Sequence, residues 1–404
     1  MANEIMAKPI EKLTKKIHSD ILCPFCMSEL NRGEIIYKCP TCGKIVKQSA
    51  YEFATMKAPA CYDPKCKKQI AKRYCKKCNN PLPFDILQYK KNLRFALIGI
   101  KGSGKTNYLT TMITEAKKTQ SFPMILSWRE NQTKLHYQAN KRKLYEDRKR
   151  LDETTPGVRP TAQQWKLTAR QGRAAREGTG NERSSDVYSL TIFDGAGEDC
   201  EHPDPVLSRY ISGAHALIIL FDPLILPSIV AEFSESVIGR SKDAEHYAED
   251  HANMVVEIAN YIRESCQINA DDDIPKDVAI VFTKIDEVFS TFGFGTVRNP
   301  SPHLDAGGFV QKDADEVDRE IRNWLIEREE TEFLDAIEAN FELSRVRFFG
   351  VSSYGEHPDN EGNPTVVEPL RVLDPLYWVL SLEGIIPVIN NQTEQEKDEP
   401  LLED

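Results

Sequence analysis

The sequence predicts an α/β protein with a mainly parallel sheet, preceded by a small cysteine-rich module. Three observations carry the prediction. From Asn92 onward, short apolar runs alternate with longer stretches of helical character, the rhythm of strands joined by crossover helices. The first run, "LRFALIGI", breaks into glycines and then into a lysine and a threonine, Lys105 and Thr106. Eight of the ten cysteines fall between Cys23 and Cys78.

Taken in order, residues 1–20 read as a lysine-rich helical lead-in with Ile10, Leu13 and Ile17 on one face, expected to pack on its own domain rather than on a membrane. Residues 21–85 form the cysteine module, closed by "NNPLPF", whose two prolines suit a linker. An α/β domain follows over 92–387, with strands expected at "LRFALIGI", "VYSLTIFD", "ALIILFD", "DVAIVFTK" and "VRFFGVSS". Two stretches interrupt its rhythm. Residues 115–185 are polar and rich in Lys and Arg, part helix and part mobile, and residues 290–312 read as a long loop rich in Gly and Pro. The acidic end, 388–404, reads as a disordered tail.

Charge is unevenly spread. The net value is −10, yet residues 1–91 hold 18 Lys and Arg against 8 Asp and Glu, which leaves an acidic body behind a basic head. A basic head suits nucleic acid or an acidic protein partner, and lysines also keep small metal-bound modules soluble. No run of about 18 apolar residues is present, and the first residues lack the apolar centre of a secretory leader, so the expectation is a cytoplasmic protein with no membrane span. In that compartment clustered cysteines point to metal rather than disulfides.

"CPFC" and "CPTC" place Cys23, Cys26, Cys39 and Cys42 as two knuckles twelve residues apart, expected to share one zinc ion. Cys61, Cys66, Cys75 and Cys78 are expected to hold a second. Four thiolates around one dication leave −2 per site, so the head falls from +10 to about +6 on loading. With all four positions filled by sulfur there is no place for water, which makes these sites structural. Cys200 and Cys266 are read as unligated thiols.

Gly99, Gly104, Lys105 and Thr106 satisfy the P-loop pattern GxxxxGK[ST] at a strand-to-helix junction. The loop from Gly99 through Lys101, Gly102 and Ser103 to Asn107 would turn backbone N–H groups toward phosphates. Lys105 would reach their charge, and Thr106 would offer its hydroxyl to Mg²⁺.

Three later stretches bear on which nucleotide binds. "SLTIFDGAGED" ends a buried run at Asp194, "AIVFTKID" ends another at Thr283, Lys284, Ile285 and Asp286, and "FFGVSSYG" carries Ser352 and Ser353. In this order, each at the C-terminal end of a strand, they resemble the motifs of P-loop GTPases of the Ras-like translation-factor class. The resemblance spans residues 92–387 and implies a Ras-like GTPase domain binding GTP or GDP with Mg²⁺. It implies that Asp194 serves Mg²⁺, that the Gly197 amide senses the γ-phosphate, that Asp286 accepts from N1 and the exocyclic amine of guanine, and that Lys284 covers the ring. Ser352 and Ser353 would lie near the base. Thr283 replaces the commoner asparagine, and Glu198 stands where many relatives place a water-orienting glutamine.

The first switch should present a threonine to Mg²⁺ within the long 115–185 insertion. Thr161 is the first candidate and Thr155 the second. Arg159, Arg170, Arg173 and Arg176 crowd the same segment and read chiefly as a solvated face, one of them being a candidate for a built-in arginine finger. His202 and His215 read as structural histidines.

A zinc-ribbon head on such a GTPase is similar to bacterial conflict-system double-GTPase proteins, which implies a switch in defence acting with a second GTPase or an effector protein. Two other readings stay open at this level: a non-hydrolysing nucleotide-binding scaffold, which Glu198 favours, and an ATP-driven machine that grips nucleic acid with its ribbons.

Overall fold

The computed structural model describes residues 22–26, 28–55, 57–86, 89–99, 102–152, 162–169, 186–194, 205–232, 250–292, 295–359 and 361–390. Three short strands, β1 (Ile35–Lys38), β2 (Lys72–Cys75) and β3 (Pro81–Leu82), form an antiparallel sheet inside the cysteine module. The remaining strands are β4 (Lys91–Gly99), β5 (Met124–Trp128), β6 (Ala162–Ala169), β7 (Val187–Asp194), β8 (Ala216–Phe221), β9 (Asp277–Phe282), β10 (Phe309–Val310), β11 (Val346–Gly350) and β12 (Val388–Ile389).

Seven of them make one sheet in the order β11-β9-β8-β4-β7-β6-β5. Pairing is parallel from β11 to β7 and antiparallel across β7, β6 and β5. The central strands are apolar throughout because both of their faces are covered. Along β8, Ala216, Ile218 and Leu220 enter one core, while Leu217, Ile219 and Phe221 enter the other. The first core is roofed by Leu109, Met112 and Ile113 of the helix Lys105–Lys118 and by Leu376, Tyr377 and Leu380 of the helix Asp374–Leu382. The second takes Val255, Ile258 and Ile262 of the helix Asp250–Cys266 and Ile321 and Leu325 of the helix Gln311–Glu327. The α/β fold class is thus as expected, a sheet with helices on both faces.

All five expected strands are present. Two more, β5 and β6, lie in the stretch read as part helix and part mobile. Both are near the sheet edge, and each mixes polar and apolar side chains: Gln163 and Gln164 precede Trp165 and Lys166 follows it in β6, which erased the apolar signal. The helix Asn131–Lys141 supplies the expected helical part. The 290–312 loop is more structured than its composition suggests. It holds the turn Thr296–Arg298, the helix His303–Ala306 and β10. β10 pairs in parallel with β12, so Val388 and Ile389 are strand residues rather than the start of a tail. The lead-in 1–20, residues 153–161 and 170–185, and the tail from 391 lie outside the described residues.

Among the described residues, contacts on two sides fasten the module to the larger sheet. Arg129, at the end of β5, pairs with Asp85 of the linker, stacks over Tyr89 and donates to Ser189 Oγ at 3.1 Å. On the other side, the Tyr210 hydroxyl donates to the carbonyl of Pro24.

Candidate functional site

Because β4, β7, β8, β9 and β11 are parallel, their C-terminal ends share one edge, the place where open α/β sheets bind ligands. The site grows from there. Gly99 closes β4 beside Leu220 of β8, and a Cβ at this position would stand 2.7 Å from the Leu220 carbonyl and 2.6 Å from Ser103 Oγ. Only glycine fits that approach. Gly104, with φ at +80°, then caps the helix Lys105–Lys118 and leaves its first amides without intrahelical acceptors. The Lys105 ammonium is folded into this turn, donating to the Gly99 carbonyl at 2.6 Å. Anchored there and buried, it sits at the centre of a loop whose N–H groups and helix dipole favour an anion.

Next to this turn, β9 ends in the TKID loop. The Thr283 hydroxyl lies 2.9 Å from the Ser103 carbonyl and 3.0 Å from that of Phe221, so one side chain ties the phosphate loop to the ends of β8 and β9. That bridge supplies a physical reason for threonine here. Lys284 adopts a left-handed backbone (φ +50°) and its ammonium pairs with Asp222, a buried carboxylate that also accepts from the Leu224 amide at 3.0 Å. The charge of Lys284 is therefore held by Asp222.

Asp286 is half-buried, and burial raises its carboxyl above the ordinary range. A hydrogen bond from Ser352 and the nearby His357 oppose the shift, while Glu287 adds to it. Ser352 accepts from the Gly355 amide at 2.8 Å, and its backbone exchanges two hydrogen bonds with Leu370. Its part is to hold the Asp286 carboxylate. Tyr354 in the same loop hydrogen-bonds the Asn107 side chain, joining the loop after β11 to the P-loop helix; burial pushes its hydroxyl up to about 12. Ser353 is partly exposed beside it.

At the far side, β7 delivers Asp194 in register with Leu97, two residues before Gly99. The structure thus brings Gly99, Gly102, Ser103, Gly104, Lys105, Thr106, Asn107, Thr283, Lys284, Asp286, Ser352, Ser353 and the Asp194 strand end to one edge. Lys101, Thr155, Thr161, Gly197, Glu198, Cys200, His202 and the four arginines of the insertion lie outside the described residues. Sequence reasoning missed Asp222 and Tyr354. Asp222 had a signal, since "ALIILFD" ends in an acid after a wholly apolar strand just as "LTIFD" does. His215 is structural as expected: its Nδ1 accepts from the Arg94 amide at 3.2 Å, and burial with Arg94, Lys91 and Lys276 nearby depresses its pKa to about 3.

The cysteines form two clusters, with partners other than those expected. Cys23 and Cys26 meet Cys75 and Cys78, while Cys39 and Cys42 meet Cys61 and Cys66. The cause is strand direction. β1 runs antiparallel to β2 with Ile35 opposite Cys75 and Lys38 opposite Lys72, so Cys75 sits at the start of β1 and Cys39 just past its end. Cys61 and Cys66 come before β2 and Cys75 and Cys78 lie at its end and beyond, so four residues of strand, about 13 Å, stand between the two pairs and one ion cannot hold both. Each cluster fits zinc. Sulfurs about 2.3 Å from a tetrahedral centre stand about 3.8 Å apart, and the observed pairs are Cys23–Cys78 at 3.7 Å, Cys26–Cys75 at 3.8 Å and Cys42–Cys61 at 3.8 Å.

No family model matches the sequence, and comparison with curated proteins finds no match. Among solved structures the chain is similar to the GTPase-like domain of S. cerevisiae Ski7 bound to GDP and inorganic phosphate, with 12% identity and a TM-score of 0.35 over 74% of this chain and 51% of that one. It is also similar to the small GTPase Arl6 of Trypanosoma brucei with a bound nucleotide analogue, with 11% identity and a TM-score of 0.28 over 73% and 99%. A third is Sup35 complexed with GDP, with 11% identity and a TM-score of 0.26 over 70% and 44%. The chain spans about half the length of the Ski7 structure it resembles. The fold follows from the strand order and the phosphate loop described above.

Proposed function

We propose that the chain binds GTP with Mg²⁺, hydrolyses it slowly, and uses the change to regulate a protein partner. The observation that carries the reading is the seating of the TKID loop against the phosphate loop. Thr283 reaches the Ser103 carbonyl, and Asp286, three residues on, is held by Ser352 at the same sheet edge. Phosphate binding alone would need only the first of these loops.

In this reading Lys105 leaves the Gly99 carbonyl for the β and γ phosphates, and the first amides of the helix Lys105–Lys118 cradle them. Mg²⁺, when bound, neutralises phosphate charge, and Thr106 and Asp194 are the residues that would hold it. Asp286 accepts from N1 and the exocyclic amine of guanine, while the Lys284 stem lies on the ring. Thr161 or Thr155 and the Gly197 amide would report the γ-phosphate. Glu198 in place of glutamine makes intrinsic hydrolysis slow, so a partner, a second GTPase or an effector of a bacterial conflict system, supplies what is missing. The basic zinc module is the candidate docking end for that partner or for nucleic acid.

Titration with GTP and ATP, paired with phosphate release, tests this. GTP should bind in preference, and Lys105→Ala should abolish both binding and release. Asp286→Asn should lose GTP and gain xanthosine triphosphate, because an amide can accept from N1–H and donate to the 2-oxo group that xanthine carries. Tighter binding of ATP by the unaltered chain would overturn the assignment. Glu198 also favours a scaffold that binds without turnover, and GTP binding with no phosphate release, alone or with its partner, would establish that instead.

A further inference from the structure

The first cysteine cluster is built against the nucleotide-binding domain. Its leading knuckle is Cys23-Pro24-Phe25-Cys26, and the carbonyl of Pro24, between two of the sulfurs, accepts from the Tyr210 hydroxyl. Tyr210 belongs to the helix Pro205–Gly213 and is 5% exposed. Its ring stacks on Phe193, with centroids 3.9 Å apart and planes 15° from parallel. Phe193 is the penultimate residue of β7 and the neighbour of Asp194. Leu22, just before the knuckle, packs against the same core that holds Phe193, Tyr210 and Ile211.

Four bonds to a metal would fix the knuckle, and with it the position of the Pro24 carbonyl. That carbonyl orients the Tyr210 ring, and the ring presses on the residue that precedes Asp194. Residues 195–204 run from Asp194 to the helix Pro205–Gly213. Tyr210 thus lies between the knuckle and the strand end that carries Asp194. If the metal leaves, the knuckle loses its geometry and a buried hydroxyl loses its acceptor, which favours movement of the helix. Cys42 of the second cluster is exposed, whereas Cys23 is fully buried.

We propose that Tyr210 is a positioning residue that couples the Cys23/Cys26/Cys75/Cys78 cluster to the strand end carrying Asp194, so that zinc in this cluster raises the preference for nucleoside triphosphate over diphosphate. The inference rests on the guanine-nucleotide reading above. Its sign follows from that reading: if the end of β7 serves Mg²⁺ and the γ-phosphate side, loosening it weakens triphosphate binding more than diphosphate binding.

The test uses the full chain loaded with zinc, its metal content measured, and fluorescent GTP and GDP analogues titrated in Mg²⁺. Tyr210→Phe keeps the ring stack and removes the hydrogen bond. It should retain two zinc ions per chain while the GTP-over-GDP affinity ratio falls about fivefold or more. Cys78→Ser, at the first cluster, should lower the ratio similarly, and the double variant should show little further loss, since both act through one contact. Cys42→Ser, at the second cluster, should leave it within about twofold. Hydrogen exchange in the helix Pro205–Gly213 should quicken in Cys78→Ser and not in Cys42→Ser. A ratio indifferent to Tyr210→Phe, or lowered equally by the two cysteine variants, overturns the coupling alone. A zinc-loaded wild type that binds neither guanine nucleotide overturns the guanine reading and the coupling with it.

Discussion

The two parts of this molecule hold themselves together by different means. In the large sheet, β8 is buried along its whole length and feeds apolar side chains into a core on each face. In the cysteine module, five of the twelve residues of the buried cluster are themselves cysteines, and the rest are scattered singly: Leu30, Ile35, Tyr37, Val46, Ala71, Leu82 and Ile86. A core that small does not offset the conformational entropy of ordering some sixty residues. The sulfurs, and the ions they are spaced to hold, stand where the sheet places Ile, Val and Phe. The difference teaches that one chain can carry a part built on apolar burial and a part built around clustered thiols, joined by contacts as specific as Arg129–Asp85 and Tyr210–Pro24.

The sharpest way to break the comparison is to remove the metal. Chelation of both zinc ions is expected to unfold residues 22–86 outright, since apparent binding energies at structural zinc sites run to about 10–16 kcal/mol. The main sheet should keep its own transition. Calorimetry with and without chelator checks this, and a single transition lost in one step would show that the sheet depends on the module. A smaller effect is expected from the opposite kind of damage. Ile218→Ala in β8, 1% exposed, should cost about 2–5 kcal/mol of sheet stability and leave the zinc content unchanged; chemical denaturation read alongside metal analysis decides it.

The smallest effect concerns pH. The Asp286 carboxyl is raised above its ordinary value of 3.8 by burial, and in the proposed guanine contact only its ionised form could accept two donors. GTP affinity should thus be full above the raised pKa and fall up to about tenfold per unit as pH drops through it, whereas zinc sites lose their ions by thiol protonation. GTP titrations across that range, with zinc content followed in the same samples, separate the two. Affinity that tracks zinc release alone would remove Asp286 from base recognition.

Much of the site was open to sequence reading because its parts are local. Gly99 to Thr106 is one loop, and Thr283 to Asp286 is another. Strands buried on both faces announce themselves as continuous apolar runs, which is why β4, β7, β8, β9 and β11 were visible. The outer strands, β5 at the edge and β6 beside it, were not, because Gln163, Gln164 and Ser127 interrupt the pattern. Asp222 was visible as the acid that ends an apolar strand, but its role was not, because it depends on Lys284, 62 residues away.

What the sequence determined by itself, then, is chemistry that spans a few neighbouring residues. That covers the phosphate turn, the guanine-like loop, the thiol knuckles and the two-sided burial of the central strands, all of which follow from side-chain type and short spacing. What only the tertiary structure decided is who meets whom. The antiparallel ladder of β1 and β2 exchanged the partners of the four knuckles, and a contact across 186 residues placed Tyr210 on Pro24. Strand direction and packing set those distances, and neither is written in the spacing of residues along the chain.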